Sequence, residues 1–139
     1  MEARHAYLFT ALQILGVLFW LLVSWNTPWD AMRCIGTLLV VVGVSVVAVA
    51  RYQLGKSFAV KAEAQELVTR GLYSKIRNPI YVFGVVMLVG LILVAQKPVL
   101  WIALVMMVIG QVIRAHREAR VLETTFGDAY REYRSKTWF

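Results

Sequence analysis

The sequence predicts an all-α, polytopic membrane protein with about four transmembrane helices, and two observations carry this prediction. Hydrophobic residues make up 60% of the 139 residues, whereas soluble domains are usually about 45–50% apolar. The apolar residues are also concentrated in uncharged runs close to the roughly 17–25 residues that cross a bilayer as a helix. The predicted spans are about 7–25, 34–50, 79–95 and 99–113, within a single domain of residues 1–139.

The distribution of the basic residues predicts how these spans are oriented. The formal net charge is +7, and most Lys and Arg residues lie between the second and third spans or after the fourth. The other two loops contain only Arg33 and Lys97. By the positive-inside rule, both termini and the 51–78 loop are predicted to be cytoplasmic. The same charges favour contact with anionic membrane lipids rather than with nucleic acid.

The first span could instead be a signal peptide, since Arg4 and His5 precede it. Its apolar stretch is long for a signal peptide, and no small-x-small cleavage site follows it. We therefore interpret it as a helix of the mature protein. Cys34 is the only cysteine, which excludes an internal disulfide, and the two histidines are far apart. No metal site is predicted.

Local signals place the boundaries of the last two spans. The third helix is expected to begin near Asn78, which can cap it, with Pro79 in the first turn. Residues 96–98 are expected to form a tight hairpin into the fourth helix, which continues past the membrane and stops near Gly127. Five glycines of the later spans are interpreted as helix-packing residues: Gly36, Gly43, Gly84, Gly90 and Gly110.

Two polar constellations lie at the cytoplasmic ends of the third and fourth helices. In the first constellation, Arg114 and Glu118 are four residues apart and share a helix face. The second constellation, residues 71–83, includes the start of the third helix and lies at the same membrane level. Taken singly, these side chains could be interfacial anchors or an ordinary ion pair. Together they predict a pocket for a zwitterionic, partly aromatic ligand, because a carboxylate binds an ammonium, arginine binds a carboxylate and tyrosine rings flank a planar or cationic group.

At these residues the chain resembles the integral-membrane methyltransferases of the isoprenylcysteine carboxyl methyltransferase and phospholipid N-methyltransferase group. The first part of that family's signature is matched by Leu67-Val68-Thr69, Gly71 and Tyr73, and the second by Arg77-Asn78-Pro79-Ile80-Tyr81. The later part is matched by Arg114, Glu118, Leu122, Phe126-Gly127, Tyr130 and Tyr133. The resemblance covers roughly residues 54–138.

The resemblance implies that the chain binds S-adenosylmethionine and methylates a lipophilic acceptor. It implies that Glu118 holds the cofactor and that Arg114 contacts the acceptor's carboxylate, so these two residues are the predicted catalytic pair. The predicted cofactor-binding residues are Gln65, Glu66, Leu67, Val68, Tyr73, Arg77, Asn78, Pro79, Ile80, Tyr81, Glu118 and Tyr130. Segments 52–78 and 114–139 are expected to form the cofactor site and its lid.

The chain departs from the family pattern at two positions. Asn78 replaces a histidine and cannot act as an acid or base near neutral pH, and Ala119 replaces a second glutamate. The chain is also short, with four predicted spans rather than five or more. Because no obvious base remains to deprotonate an amine, the sequence slightly favours an acceptor that is already deprotonated, such as a carboxylate.

The sequence also bears on several other functions. No glycine-rich loop follows a predicted strand, which excludes the soluble Rossmann type of methyltransferase. The absence of an acidic residue inside any span counts against a proton-coupled transporter. Two alternatives stay open: an NADPH-dependent sterol-type membrane reductase, which shares an Asn-Pro-x-Tyr element, and a non-catalytic lipid-binding membrane subunit. The small size and glycine-bearing helices also allow a homodimer.

Overall fold

The described part of the chain is helical in the computed structural model. The structure describes residues 11, 14–20, 22, 28–54 and 67–139. Within these ranges residues 14–20 form part of α1, followed by α2 (Ala31–Leu54), a 3₁₀ turn (Gly71–Ser74), α3 (Pro79–Ala95), α4 (Val99–Phe126) and α5 (Asp128–Lys136). These residues contain no β-strand, only an isolated parallel bridge between Ile76 and Trp138. The all-α prediction is confirmed for this part of the chain.

The helix boundaries agree with the sequence prediction where it was based on proline or glycine at a helix end. α3 occupies the predicted range 79–95, and α4 continues well beyond residue 113 to end at Gly127, as expected. α2 is longer than the predicted span, because Asp30 accepts a hydrogen bond from the Arg33 backbone N–H at 2.9 Å and so caps the helix earlier. Much of the predicted first span, 7–25, lies outside the described residues.

Two described helices are long and apolar enough to cross a membrane. They are Ala31–Leu54 and Val99–Phe126, and little of either apolar stretch is buried within the protein. α3 is also apolar but has only 17 residues. A largely exposed apolar surface of this kind needs a bilayer or another apolar partner around it, so the helices indicate membrane association.

Close packing of α2 against α3 depends on glycine. A Cβ atom on Gly36 would lie 2.7 Å from the Gly90 carbonyl oxygen, and one on Gly90 would lie 2.5 Å from the Gly36 carbonyl oxygen. Gly43 meets the backbone of Met87 equally closely. These three glycines are packing residues, as predicted. For Gly84 and Gly110, a Cβ would meet no described atom within 4 Å, so their role in packing stays a prediction.

The turn between α3 and α4 is tied to the start of α2. Gln96 ends α3 with a left-handed backbone (φ 52°), and its side-chain amide donates a 2.6 Å hydrogen bond to the Asp30 carboxylate. The predicted hairpin through residues 96–98 is therefore present. The start of α3, at Pro79, therefore lies alongside the later part of α4.

Candidate functional site

A carboxylate shared by two side chains joins α3 to α4. Glu118 Oε1 accepts a 2.6 Å hydrogen bond from the Tyr81 hydroxyl and a 3.0 Å hydrogen bond from Arg114 Nε. Arg114 and Glu118 are one helical turn apart on α4, and Tyr81 lies in the first turn of α3. We call these three residues the polar cluster. Its carboxylate is 44% exposed, so it remains accessible to a further ligand.

The 3₁₀ turn at Gly71–Ser74 places Tyr73 beside this cluster. Gly71 adopts φ 62°, and the Gln53 side chain occupies the space that a Cβ atom would need. Gln53 Oε1 accepts a 2.8 Å hydrogen bond from the Leu72 backbone N–H. The end of α2 thereby fixes the conformation of the turn, and the Tyr73 side chain packs in a buried group with Ala50 and Val68.

The environment of Tyr73 links it electrostatically to the other candidate residues. Burial raises the pKa of the Tyr73 phenol above its usual range. Tyr133, Glu118 and Tyr81 add to this rise, whereas the positive charge of Arg51 opposes it. The phenol therefore stays protonated over the physiological range and can act as a hydrogen-bond donor.

Helix α5 contacts the turn through one tyrosine and buries a second. The Tyr133 hydroxyl donates a 2.6 Å hydrogen bond to the Tyr73 backbone carbonyl. Tyr130 is only 2% exposed, and its ring lies 6.2 Å from that of Tyr133. Gly127, with φ 51°, separates α4 from α5 and lets the chain change direction between them.

The last residues of the chain pair with the segment that precedes α3. The Trp138 N–H donates to the Lys75 carbonyl at 2.8 Å, and the Arg77 N–H donates to the Trp138 carbonyl at 2.9 Å. The Asn78 N–H then donates to the Phe139 carbonyl at 2.9 Å. The C-terminal segment 137–139 therefore holds the start of α3 in place through backbone bonds.

Asn78 occupies the expected N-cap position but caps the helix differently from the prediction. Its side chain makes no capping hydrogen bond; instead its backbone carbonyl accepts from the N–H groups of Tyr81 and Val82. Pro79 follows at the first helical position and is fully buried. The prediction that the Asn78 side chain caps α3 is wrong, because its ψ of 58° departs from the extended backbone typical of side-chain caps.

Arg77, two residues before the start of α3, has a buried hydrogen-bond donor in its side chain. Its Nε atom is buried and has no hydrogen-bond partner among the described residues. A buried donor without a partner costs free energy, so this position suits a group that brings an acceptor, such as a carboxylate or phosphate oxygen.

Most of the predicted site residues lie around the 3₁₀ turn and the start of α3. Val68, Tyr73 and Ile80 pack together, and Tyr81, Arg114 and Glu118 form the polar cluster. Leu67 directly precedes Val68 at the start of the described segment, and Gln65 and Glu66 lie outside the described residues. No sequence motif points to Gln53, Trp138 or Phe139, which hold these segments in place through hydrogen bonds.

Comparison with known families found one whose sequence model matches this chain. The sequence model of a family described as phospholipid methyltransferase matches residues 31–129, which is well over half of the chain and includes α2, α3, α4 and the turn between α2 and α3. No curated protein matches the chain.

Proposed function

The chain belongs to the phospholipid methyltransferase family, and from this premise we propose that it transfers a methyl group from S-adenosylmethionine to a lipophilic acceptor. Membership of the family supports methyl transfer and a lipid acceptor in general. The methyl donor, the cytoplasmic location of the site and the nature of the acceptor are our proposal. The observation that supports this proposal most strongly is the Tyr81–Glu118–Arg114 contact. It joins the family motif at residues 77–81 to the later motif that begins at Arg114.

The residues at this point suit the charges of S-adenosylmethionine. Glu118 is a half-exposed carboxylate that can bind an ammonium group, and both of its described hydrogen bonds are made by Oε1. The buried Nε of Arg77 is a donor suited to a carboxylate. The Tyr73 and Tyr81 rings supply aromatic surface for a cationic or planar group. In addition, we propose Gln65, Glu66, Leu67, Val68, Asn78, Pro79, Ile80 and Tyr130 as residues around the cofactor.

The protein's own contribution to the reaction is mainly positioning. When bound, S-adenosylmethionine supplies a methyl group on a positively charged sulfur. Tyr81 and Arg114 fix the Glu118 carboxylate, which would position the cofactor for methyl transfer. Arg114, whose side chain is 63% exposed, orients the head group of the acceptor.

The acceptor that fits this site best is a carboxylate, as in the isoprenylcysteine carboxyl methyltransferases. An amine acceptor must lose a proton, and Asn78 replaces the histidine at the position where a base is expected. The Asn78 backbone N–H is also engaged by Phe139. A carboxylate requires only orientation, which the Arg114 guanidinium provides.

We further propose that the protein is a multi-pass membrane protein with its site and both termini on the cytoplasmic side. The polar cluster lies at the end of α4 that is followed by basic residues and at the start of α3 that is preceded by them. The positive-inside rule assigns that end of both helices to the cytoplasm. S-adenosylmethionine is then accessible from the aqueous side and the acceptor from the bilayer.

Calorimetric titration of S-adenosylhomocysteine into the detergent-purified protein tests this function. We expect micromolar binding that weakens at least tenfold in Glu118→Ala, because the ammonium loses its charge partner. Glu132→Ala is the matched control, since Glu132 is an exposed carboxylate on α5 that pairs only with Lys136 among the described residues.

A folded wild-type protein that does not bind S-adenosylhomocysteine would overturn the proposal. NADPH would then be titrated, since binding of that ligand distinguishes the reductase alternative. Retained binding in Glu118→Ala would instead show that this carboxylate does not hold the cofactor.

A further inference from the structure

Helix α4 carries a line of exposed side chains that takes no part in the polar cluster. Successive members of the line are three or four residues apart, so they share one face of the helix. Its first part is apolar, with side chains that are 50–67% exposed, and its last part is basic. We call this line the α4 stripe, and its members are Ile102, Met106, Ile109, Ile113, Arg117 and Arg120.

The basic end of the α4 stripe lies at the level where α3 begins. Glu118 accepts a hydrogen bond from Tyr81 in the first turn of α3, so the neighbouring Arg117 is at the same depth. Arg120 lies about 4–5 Å further along α4, at roughly 1.5 Å per residue. Because α3 carries no charged residue, its start marks the edge of the hydrocarbon region in a membrane. The two guanidinium groups therefore lie at the level of the lipid phosphates.

The acidic side chains at this end of the molecule are already paired with other bases. All four acidic residues after position 113 form ion pairs: Glu118 with Arg114, Glu123 and Asp128 with Arg131, and Glu132 with Lys136. The side chains of Arg117 and Arg120 form no ion pair with any described residue. Two exposed arginines one helical turn apart suit a phosphate, because the planar guanidinium can bind two of its oxygens.

The apolar part of the α4 stripe has the length of one lipid chain. From Met106 to Arg117 the helix rises about 16 Å at roughly 1.5 Å per residue. One leaflet contributes about 15 Å, which is half of a hydrocarbon core roughly 30 Å thick. A phospholipid held by Arg117 would therefore lay an acyl chain along Ile113, Ile109 and Met106, each of which is at least half exposed. A soluble phosphate would leave this apolar surface uncovered.

We propose that the α4 stripe binds an anionic phospholipid, with the lipid phosphate at Arg117 and Arg120 and an acyl chain along the apolar part of the stripe. The site prefers a head group without an ammonium, because the acidic side chains after position 113 are engaged by other bases. The bound lipid is not a methyl acceptor, since the stripe contains no residue of the polar cluster. The inference requires membrane association but does not depend on the proposed methyl transfer.

Native mass spectrometry of the detergent-purified protein tests this site by counting bound lipids. The protein is titrated with phosphatidylglycerol or with phosphatidylcholine that has the same acyl chains. We expect the first phosphatidylglycerol to bind about tenfold more tightly than the first phosphatidylcholine, because two basic side chains attract an anionic head group. The difference should shrink as the concentration of ammonium acetate rises, since salt screens exposed charges.

Two double variants with the same change in net charge provide the test and its control. Arg117→Gln/Arg120→Gln should abolish the preference for phosphatidylglycerol, and because both side chains are exposed the fold should be retained. Arg134→Gln/Lys136→Gln removes two exposed charges from α5 instead and should keep the preference. Both variants should match the wild type in a titration with S-adenosylhomocysteine, because neither alters the polar cluster.

Several results would overturn this proposal. Equal affinity of the wild type for the two lipids would do so, as would a preference that persists in Arg117→Gln/Arg120→Gln. A preference lost equally in the α5 variant would assign it to net charge rather than to the α4 stripe. Glycerol 3-phosphate that binds as tightly as phosphatidylglycerol would show that no acyl chain takes part. A wild-type dimer that dissociates in Arg117→Gln/Arg120→Gln would assign the two arginines to a second copy. Absence of S-adenosylhomocysteine binding by the wild type would overturn the proposed function instead.

Discussion

At the scale of single residues, the Arg114–Glu118 pair contributes more to the geometry of the site than to the stability of the fold. The two side chains are 63% and 44% exposed, and exposed ion pairs contribute about 0–1 kcal/mol to stability. However, Glu118 also accepts from Tyr81 on a different helix at 2.6 Å. Hydrogen bonds to an ionised carboxylate are short and directional. The three residues together therefore fix one carboxylate at the junction of α3 and α4.

Tyr133 makes the protein sensitive to alkaline pH. Burial, with a smaller contribution from Tyr130, raises the pKa of Tyr133 to about 12, and Arg77 opposes the rise. The phenol of an unfolded chain has a pKa of about 10. The folded protein therefore holds this proton more tightly. Its contribution to stability is complete below about pH 10 and is lost as the pH rises towards 12.

Tyr133→Phe should lower stability at neutral pH and reduce its loss at alkaline pH. The variant loses the 2.6 Å hydrogen bond to the Tyr73 carbonyl, which we expect to cost about 0.5–1.5 kcal/mol. Thermal unfolding followed from pH 7 to 12 measures both effects. Tyr52→Phe is the control because the Tyr52 side chain is highly exposed. Parallel Tm curves for the wild type and Tyr133→Phe between pH 10 and 12 would contradict this assignment.

At the scale of elements, the C-terminal segment and the start of α3 form one unit. Three backbone hydrogen bonds join residues 137–139 to residues 75–78. The hydroxyl of Tyr133 adds a fourth contact to the preceding turn. The proposed cofactor residues Arg77 and Asn78 thus take their backbone positions from a segment some sixty residues later, so we expect cofactor affinity to depend on that segment.

Trp138→Pro and Trp138→Ala separate the backbone contribution from that of the side chain. Proline removes the N–H that donates to the Lys75 carbonyl at 2.8 Å, whereas alanine keeps it. Thr137 is already extended (φ −122°, ψ 147°), so a following proline is compatible with its backbone. We expect S-adenosylhomocysteine affinity, measured by calorimetry, to fall about tenfold more in the proline variant. Equal losses in the two variants would assign the effect to the indole ring.

The sequence predicts those elements whose signals are local. Pro79, Gly127 and the four-residue spacing of Arg114 and Glu118 mark helix boundaries and a shared face, and each depends only on neighbouring residues. Gln53 could not be predicted, because its role depends on Gly71 approaching the end of α2 after the chain has folded. The Asn78 cap was wrong for a similar reason: pairing with the C-terminal segment sets the backbone there.

At the scale of the whole molecule, the two sides of α3 have different roles. One side packs against α2 through Gly36, Gly43 and Gly90, where backbones meet directly. The other side faces α1 and α4 across an apolar groove lined by residues that include Trp20, Leu88 and Leu104, and a Cβ built on Gly84 would meet no described atom within 4 Å. The closely packed α2–α3 pair is therefore the rigid part of the described structure. Glycines engaged within this scaffold are not available for pairing two copies of the chain.

Close packing at Gly90 and the lack of a described neighbour at Gly110 predict opposite effects for the same substitution. Gly90→Ala places a methyl group 2.5 Å from the Gly36 carbonyl oxygen, and because backbone atoms cannot move aside cheaply, we expect a loss of about 1–3 kcal/mol. The Cβ of Gly110→Ala meets no described atom within 4 Å, and the variant should gain about 0.5–1 kcal/mol from the higher helix propensity of alanine. Thermal unfolding of both variants in the same detergent measures the difference. A Gly90→Ala protein as stable as Gly110→Ala would show that α2 and α3 do not pack as closely as described, and the scaffold side of α3 would then have to be reassigned.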